Sequence, residues 1–576
     1  MTEFRSPYPL PAIPDDMSIP QFMFSSDFRK RPNRPTNVPF FIEDDTGRPI
    51  DFFQVHERTN GLANALSIKW NIGKDDIVCI FSPNHVDYAV AIWAVHTLGG
   101  VVTPANPGYT TDELSHQLRT TEARLIITHP SSLAIARSAA LAVGMAIDRI
   151  VILNDNSHLP DSEASVDDLV EFGARKPVSY LVQRFKSGEA RTRLAFLSFS
   201  SGTTGKPKAV AIPHYSVIAN IIQMATHYRL HDPAWTDKRM NPGDIAIAVL
   251  PFFHIYGLVV IMHYLLFCGM SLVVVPKFNL ADFLRSVVRH RVTHLYVVPP
   301  QIVLLCKHPS VKIYNFKHVK FCMSGAAPLS GELMKKMAEV LPNAVIGQGY
   351  GLTETSTSIS NVSPDQKFGT IGSAGKLIPG VVARVIKHDG SFAAEGERGE
   401  LMVSGPSIAL GYYKNPEATK ETFVDGWVHT GDEVIIKDLE VFIVDRIKEI
   451  IKVKGFQVAP AELEGHLLLH PAVIDACVVG IPDEYSGELP LAYVVLNPEV
   501  RQHSRDLKNA SILKTAIAQH VSDSKVHYKW LRGGIEFIDV IPKNPSGKIL
   551  RRVLRERARA TKVISGDSGF EMRPKL

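Results

Sequence analysis

Cysteine is scarce: five in 576 residues (Cys79, Cys268, Cys306, Cys322, Cys477), widely spaced and with no CxxC pair. This excludes a disulfide framework or a zinc ribbon and fits a reducing intracellular compartment. Charge of one sign is lacking too, since Lys+Arg minus Asp+Glu is 63 − 58 = +5, and so small an excess is no footprint for nucleic acid. With 21% charged and 45% hydrophobic residues, the chain is neither disordered nor acidic-tailed. A His/Cys cluster at metal-ligand spacing, a G-x-S-x-G elbow and any internal repeat of about 20–50 residues are all missing. Met1 to Leu10 carries two prolines and no uninterrupted apolar core, so no signal peptide and no secretion are expected.

What is present is length and alternation. A chain of 576 residues is too long for one ordinary domain. Short β-rich runs (Ile77–Phe81, Arg124–Thr128, Ile150–Leu153) alternate with helical patterns such as Val86–Leu98, which Gly99-Gly100 ends. Thr110 to Glu113 has capping-box spacing ahead of another helix. Further strands are expected at Ile245–Leu250, Leu295–Val298 and Val345–Ile346. This βαβ rhythm predicts parallel sheets covered by helices. One run, Ile255 to Val275, has no charged residue. Gly269 divides it into a predicted helix, Leu258–Phe267, and a buried strand, Leu272–Val275, each too short to span about 30 Å of hydrocarbon. After Asp445 the elements become short and mixed, and a basic last helix is expected over Lys548–Arg559, which predicts a separate small α+β domain.

The most informative stretch is Leu197-Ser-Phe-Ser-Ser-Gly-Thr-Thr-Gly-Lys-Pro-Lys208. Glycines let backbone N–H groups approach phosphate oxygens, hydroxyls donate to them, and lysines bring mobile positive charge. Its chemistry suits a triphosphate cradle, with a flexible polar hairpin as the alternative for the segment alone, and it is not a Walker loop, because Pro207 rather than Ser or Thr follows Lys206. Read with Tyr350-Gly-Leu-Thr-Glu354, Gly426-Trp-Val-His-Thr-Gly-Asp432, Asp445-Arg446, Lys452-Val-Lys-Gly-Phe-Gln457 and Asn544-Pro-Ser-Gly-Lys548, the chain resembles the adenylate-forming superfamily. That superfamily includes acyl-CoA synthetases, peptide-synthetase adenylation domains and luciferase. The resemblance runs from about Phe41 to Arg552. It is closest to the 4-coumarate:CoA ligase-like members, whose Lys-Gly-Phe-Gln-Val-Ala-Pro-Ala-Glu-Leu-Glu string stands at 454 to 464.

The resemblance implies an α/β fold: a large N-terminal domain of stacked βαβ sheets plus a β-rich subdomain (1–445), then a small mobile α+β C-terminal domain (446–562) hinged at Lys448. The tail 563–576 follows. It implies an ATP-dependent acyl-CoA ligase with ATP, Mg²⁺ and coenzyme A as cofactors and cosubstrates and a small-molecule carboxylic acid as partner. Carboxylate attack on the α-phosphate joins two anions and expels pyrophosphate, so cations and oriented N–H donors are the parts required. Ser200, Ser201, Gly202, Thr203, Thr204 and Lys208 would hold the β and γ phosphates, Thr353 the α-phosphate and Glu354 the Mg²⁺. Tyr350 would stack on adenine, with Gln348 and Gly349 at pocket or adenine-edge positions, and Asp432 would accept from both ribose hydroxyls. Arg446 would bind the nucleotide, Lys548 would neutralise charge during adenylation, and Gln457 would support that geometry. His254 would gate the channel, with Tyr256, Val260, Ala326 and Gly349 forming the acyl pocket. Lys452, Lys454 and Gly455 would border the pantetheine channel, Gly455 because a thiol arm leaves no room for a Cβ, and Lys277 would contact CoA.

Two departures bear on the acid. Thr355-Ser-Thr-Ser-Ile-Ser360 replaces small apolar residues of the plant phenylpropanoid ligases, and Val260 replaces a pocket serine. Medium-chain, aryl-alkyl and polyketide-derived acids therefore stand beside hydroxycinnamates. A luciferase-like adenylating oxygenase and a non-catalytic acyl- or nucleotide-binding relative are the alternatives, the latter opposed by Lys548, Glu354 and Asp432. Pro574-Lys575-Leu576 resembles the Ser-Lys-Leu address. Peroxisomal localisation through an import receptor is expected on that ground, and a cytoplasmic one otherwise.

Overall fold

Strands that are apolar on both faces need helices on both sides, so the alternating pattern folds as parallel sheets. The computed structural model describes residues 2–25, 31–153, 164–182, 184–200, 207–503, 506–544 and 547–564. Among them, one seven-stranded sheet has the order Lys208–Pro213, Leu194–Ser200, Val101–Ala105, Ile77–Phe81, Leu125–Thr128, Ile150–Ile152, Ala164–Ser165. Its neighbours are parallel except at the first pair. The helix expected at Val86–Leu98 forms over Tyr88–Thr97 with all of its residues buried, and Gly99 (φ 77°) turns the chain after it. The capping box at Thr110 and Glu113 is present.

A fifteen-stranded sheet contains the parallel set Phe41–Glu43, Ser271–Val274, Ile245–Ala248, His294–Val297, Phe321–Ser324 and Val345–Leu352. The last of these outruns its predicted two residues and changes partner halfway. Val345–Gln348 pairs in parallel with Phe321–Ser324, whereas Gly349–Leu352 pairs antiparallel with Thr357–Asn361. Gly349 and Tyr350 therefore stand at the changeover, at the carboxyl ends of parallel strands where α/β sheets collect ligands.

The charge-free run divides at Gly269 (φ 81°) into helix and strand. The helix is not the regular α-helix expected over Leu258–Phe267. It winds as a π-helix over Tyr256–Tyr264 and finishes as an α-helical turn, Leu265–Phe267. The Leu265 N–H bonds to the Val260 carbonyl, and His263 Nδ1 donates to the Leu258 carbonyl at 2.7 Å, both reaching five residues back. His263 Nε2 accepts from Trp93 Nε1 at 3.1 Å, so the neutral ring uses both nitrogens. A Cβ at Gly257 would lie 2.1 Å from the Pro251 carbonyl oxygen, and only glycine lets the helix start so close to the preceding segment. Among the described residues no helix is long and apolar enough to cross a membrane, and all five cysteines are free.

The chain divides into two compact units. The larger comprises 1–327, 333–430 and 434–442, the smaller 328–332, 431–433 and the residues from Ile443. In the smaller unit, strands Ile451–Val453, Phe456–Val458, Val473–Asp483, Gly487–Leu496 and Gly534–Phe537 form one sheet. Alternation along Val473–Asp483 supplies a core to each face. Ala476 and Val478 pack with Leu463 and Ile517, while Cys477 and Val479 pack with Tyr493 and Leu554. The last helix begins at Arg551, not at Lys548.

Candidate active site

The two ends of the expected phosphate loop are held by an antiparallel ladder. Ser200 closes Leu194–Ser200, Lys208 opens Lys208–Pro213, and the two are Cα partners. Ser201, Gly202, Thr203 and Thr204 lie outside the described residues. Lys208 Nζ sits 4.9 Å from the ring centroid of Tyr412, and the Tyr412 hydroxyl donates to Glu354 Oε1 at 2.9 Å. Tyr412 reaches this position because its segment adds to the edge of Lys208–Pro213. Leu410 N–H donates to the Ala211 carbonyl and Ala211 N–H to the Gly411 carbonyl, each at 2.9 Å.

Glu354 is not the solvated residue its charge alone suggests. It is 8% exposed, in the turn Thr353–Thr355, and its carbonyl accepts from Ala409 N–H at 2.9 Å. With one carboxylate oxygen given to Tyr412, the other suits a hard cation that takes its remaining oxygens from phosphate. Among the described residues no group of three or more His, Cys, Asp or Glu could hold a metal by itself. Tyr412 was not among the expected residues. Its sequence signal is Gly411-Tyr412-Tyr413 ahead of Asn415-Pro416, where Asn415 caps the helix Pro416–Thr422.

The acyl set converges. His254, Tyr256, Val260, Ala326, Gly349 and Tyr350 all line one cavity of about 50 Å³, with Thr357, Ser358 and Asn361 on the strand that follows Glu354. Tyr350, expected against adenine, thus also borders the acyl space. His254 Nδ1 accepts from the Tyr256 N–H at 3.3 Å. Gln348 is buried instead, with Nε2 3.3 Å from Met334 Sδ, and it does not line the cavity. Lys277 is exposed in the turn after Ser271–Val274, outside the cavity lining.

The smaller unit carries the remaining expected residues in three places. Arg446 Nε lies 3.4 Å from Oδ1 of the buried Asp432, and Lys448 follows on the surface. Lys452 and Gln457 are Cα partners across the hairpin Ile451–Val458, both exposed. At its tip Lys454 (φ 51°) and Gly455 (φ 83°) are both left-handed, the two-residue turn that favours Gly. No atom lies within 4 Å of a Cβ built on Gly455, so backbone conformation, not crowding, accounts for this glycine within the protein. Lys454 Nζ lies 4.0 Å from the Tyr485 ring centroid. Lys548 is half-buried and precedes the last helix. Its N–H donates to Asn544 Oδ1 at 2.8 Å and its carbonyl accepts from Asn544 N–H at 2.9 Å. Arg551, the first helical residue, donates instead to the buried Glu464, at 2.6 Å.

The sequence matches the model for "AMP-binding enzyme" over residues 28–413 and that for "AMP-binding enzyme C-terminal domain" over 462–548. It is 35% identical to 4-coumarate–CoA ligase 2 of Oryza sativa subsp. japonica, covering 97% of this chain and 96% of that protein. It is equally 35% identical to acyl-CoA ligase AFT1-1 of Alternaria alternata, over 97% of each. In fold it is similar to an anthranilate CoA ligase crystallised with anthranoyl-AMP, with TM-score 0.81 and 23% identity over 96% of this chain and 99% of that one.

Proposed function

As a member of the AMP-binding enzyme family, the chain is an ATP-dependent acyl-CoA ligase, and we propose that its residues divide the two half-reactions as follows. The carboxylate oxygen of the acid attacks the α-phosphorus of ATP and the bond to the β-phosphate breaks, giving acyl-AMP and pyrophosphate. The CoA sulfur then attacks the acyl carbon, the bond to AMP breaks, and the thiol proton passes to solvent or to a basic group.

The observation that carries this reading is the chain Lys208, Tyr412, Glu354. It puts a cation at the mouth of the phosphate loop and a buried carboxylate in the turn that follows Tyr350 at the acyl cavity. In that arrangement Ser200 to Thr204 and Lys208 hold the β and γ phosphates, and Thr353 contacts the α-phosphate. Glu354 holds Mg²⁺, which when bound would neutralise phosphate charge. Asp432, oriented by Arg446, accepts from the ribose hydroxyls, because a carboxylate has two acceptor oxygens for two adjacent donors. Lys548 stabilises charge on the carboxylate and α-phosphate as they join, and Gln457 supports that geometry. His254 gates the acyl cavity toward CoA, while Lys452, Lys454, Gly455 and Lys277 border the path of the thiol arm. Lys448 is the hinge between residues 1–445 and the small domain.

A screen of carboxylic acids for pyrophosphate release, with and without CoA, tests the proposal. CoA-dependent AMP and thioester production is expected. Oxygen consumption after adenylation, or nucleotide binding without turnover, would replace this reading with an oxygenase or a non-catalytic relative. Peroxisomal targeting by Pro574-Lys575-Leu576, residues outside those described, is likewise proposed. Removal of the tripeptide should disperse a punctate tagged protein without changing its activity in vitro.

A further inference from the structure

Two residues that line the acyl cavity each carry a buried polar atom that no described residue satisfies. Asn361 is 4% exposed, and its Nδ2 has no hydrogen-bond partner among the described residues. The same is true of the hydroxyl of Tyr256, a residue 9% exposed. Both residues line the cavity. Leaving a buried donor unpaired is costly, and such groups in a folded chain call for a partner.

The neighbouring hydroxyls are already engaged. Thr357 Oγ1 donates to the Ile255 carbonyl at 3.2 Å, and Ser358 Oγ lies 3.3 Å from Met224 Sδ. Two glycines make room for these two side chains. A Cβ at Gly349 would lie 2.6 Å from Asn361 Oδ1, and one at Gly325 would lie 2.8 Å from Tyr256 Cε1 and 3.3 Å from its hydroxyl. The Asn361 backbone is held between Gly349 and Lys376 in the ladder, which fixes where its side chain starts. Burial raises the Tyr256 phenol far above its ordinary range, so at neutral pH it remains an O–H donor. The Asn361 amide nitrogen can only donate, and the Tyr256 hydroxyl can donate as well as accept, so an oxygen with lone pairs is the one partner that suits both.

We propose that Asn361, together with Tyr256, is a specificity-determining residue that selects acids whose acyl group carries a hydrogen-bond-accepting oxygen (hydroxyl, ether or carbonyl) away from the carboxylate. The proposal rests on the ligase reading above and narrows its substrate class. A hydrocarbon acyl group shuts both donors away from water with nothing to bind, whereas an oxygen within reach satisfies them. Sites built in this way reject the analogue that lacks the oxygen.

The test uses matched acids with and without one oxygen, cinnamate against 4-hydroxycinnamate and octanoate against 8-hydroxyoctanoate. Each is read as kcat/KM for pyrophosphate release in the presence of CoA. The full-length wild type should favour the oxygenated member of at least one pair by about tenfold or more. In Asn361→Leu, similar in size but without a donor, the ratio should fall below about threefold, and in Tyr256→Phe it should fall partway. If Asn361→Leu does not fold by circular dichroism, Tyr256→Phe decides, since it removes one oxygen that has no partner among the described residues. No preference in either pair, or a ratio unchanged in the folded variant, overturns the proposal while leaving the ligase reading intact. Absence of pyrophosphate release with every acid refutes the ligase reading, and the proposal with it.

Discussion

Tyr412 connects Lys208, at the end of the proposed phosphate loop, to the buried Glu354, a link made by a residue that none of the motif strings contains. Glu354 and Lys208 are readable from motifs, because charge beside Gly and Thr in a turn is a phosphate or metal signature. The tyrosine's part depends on the Leu410–Tyr413 segment adding to a strand some 200 residues earlier, and no local pattern encodes that pairing. A hydrogen bond to a charged group is worth about 1.5–3 kcal/mol, so Tyr412→Phe should lower kcat/KM for ATP by about tenfold or more. Steady-state kinetics against ATP and Mg²⁺ measures this, and an unchanged value would detach Tyr412 from the site. Lys548→Ala should reduce acid-dependent pyrophosphate release by about a hundredfold or more, the usual loss when one transition-state donor is removed. Thioester formation from supplied acyl adenylate should persist, and equal loss of both half-reactions would remove Lys548 from its adenylation role.

Among the elements, the segment from Tyr256 to Phe267 departs most from its sequence pattern. Apolar periodicity reports burial, and a helix that is apolar all round gives no cue to whether its turns hold 3.6 residues or more. The wide turn is set by tertiary partners: His263 fixed between Leu258 and Trp93, and Gly257 against the Pro251 carbonyl. Gly257→Ala should therefore destabilise by about 1–3 kcal/mol, the range for overpacking a tight site, and should disturb the adjacent His254 and Tyr256. A urea midpoint equal to that of wild type would show that the close approach relaxes freely. The hairpin Ile451–Val458 is the opposite case. Its Lys454-Gly455 tip is legible as a two-residue turn because the requirement for positive φ is local.

At the scale of the whole molecule, several buried histidines make stability depend on pH. Burial lowers His96 to about 3, and His227 and His263 to about 4, from an ordinary value near 6.5. Because the unfolded chain takes up these protons first, stability should fall as pH drops from about 6.5 toward 4, by roughly 1.4 kcal/mol per pH unit for each histidine in that window. Denaturant melts at pH 7.5, 6.5 and 5.5 measure the slope, and a midpoint that does not fall on acidification contradicts it. The family and the α/β rhythm were determined by sequence alone, since ordered glycine-rich motifs, caps and alternating apolar runs are short-range patterns that each residue type can satisfy only in a few ways. Tertiary structure decided what requires distant chain to meet. It buried Glu354 beside Tyr412, carried the Val345 strand from a parallel to an antiparallel partner so that Gly349 and Tyr350 reach the cavity, and freed Lys548 from the last helix. It also left the Asn361 amide nitrogen and the Tyr256 hydroxyl without a partner among the described residues, on two side chains that line one cavity, a property of packing that no single segment specifies.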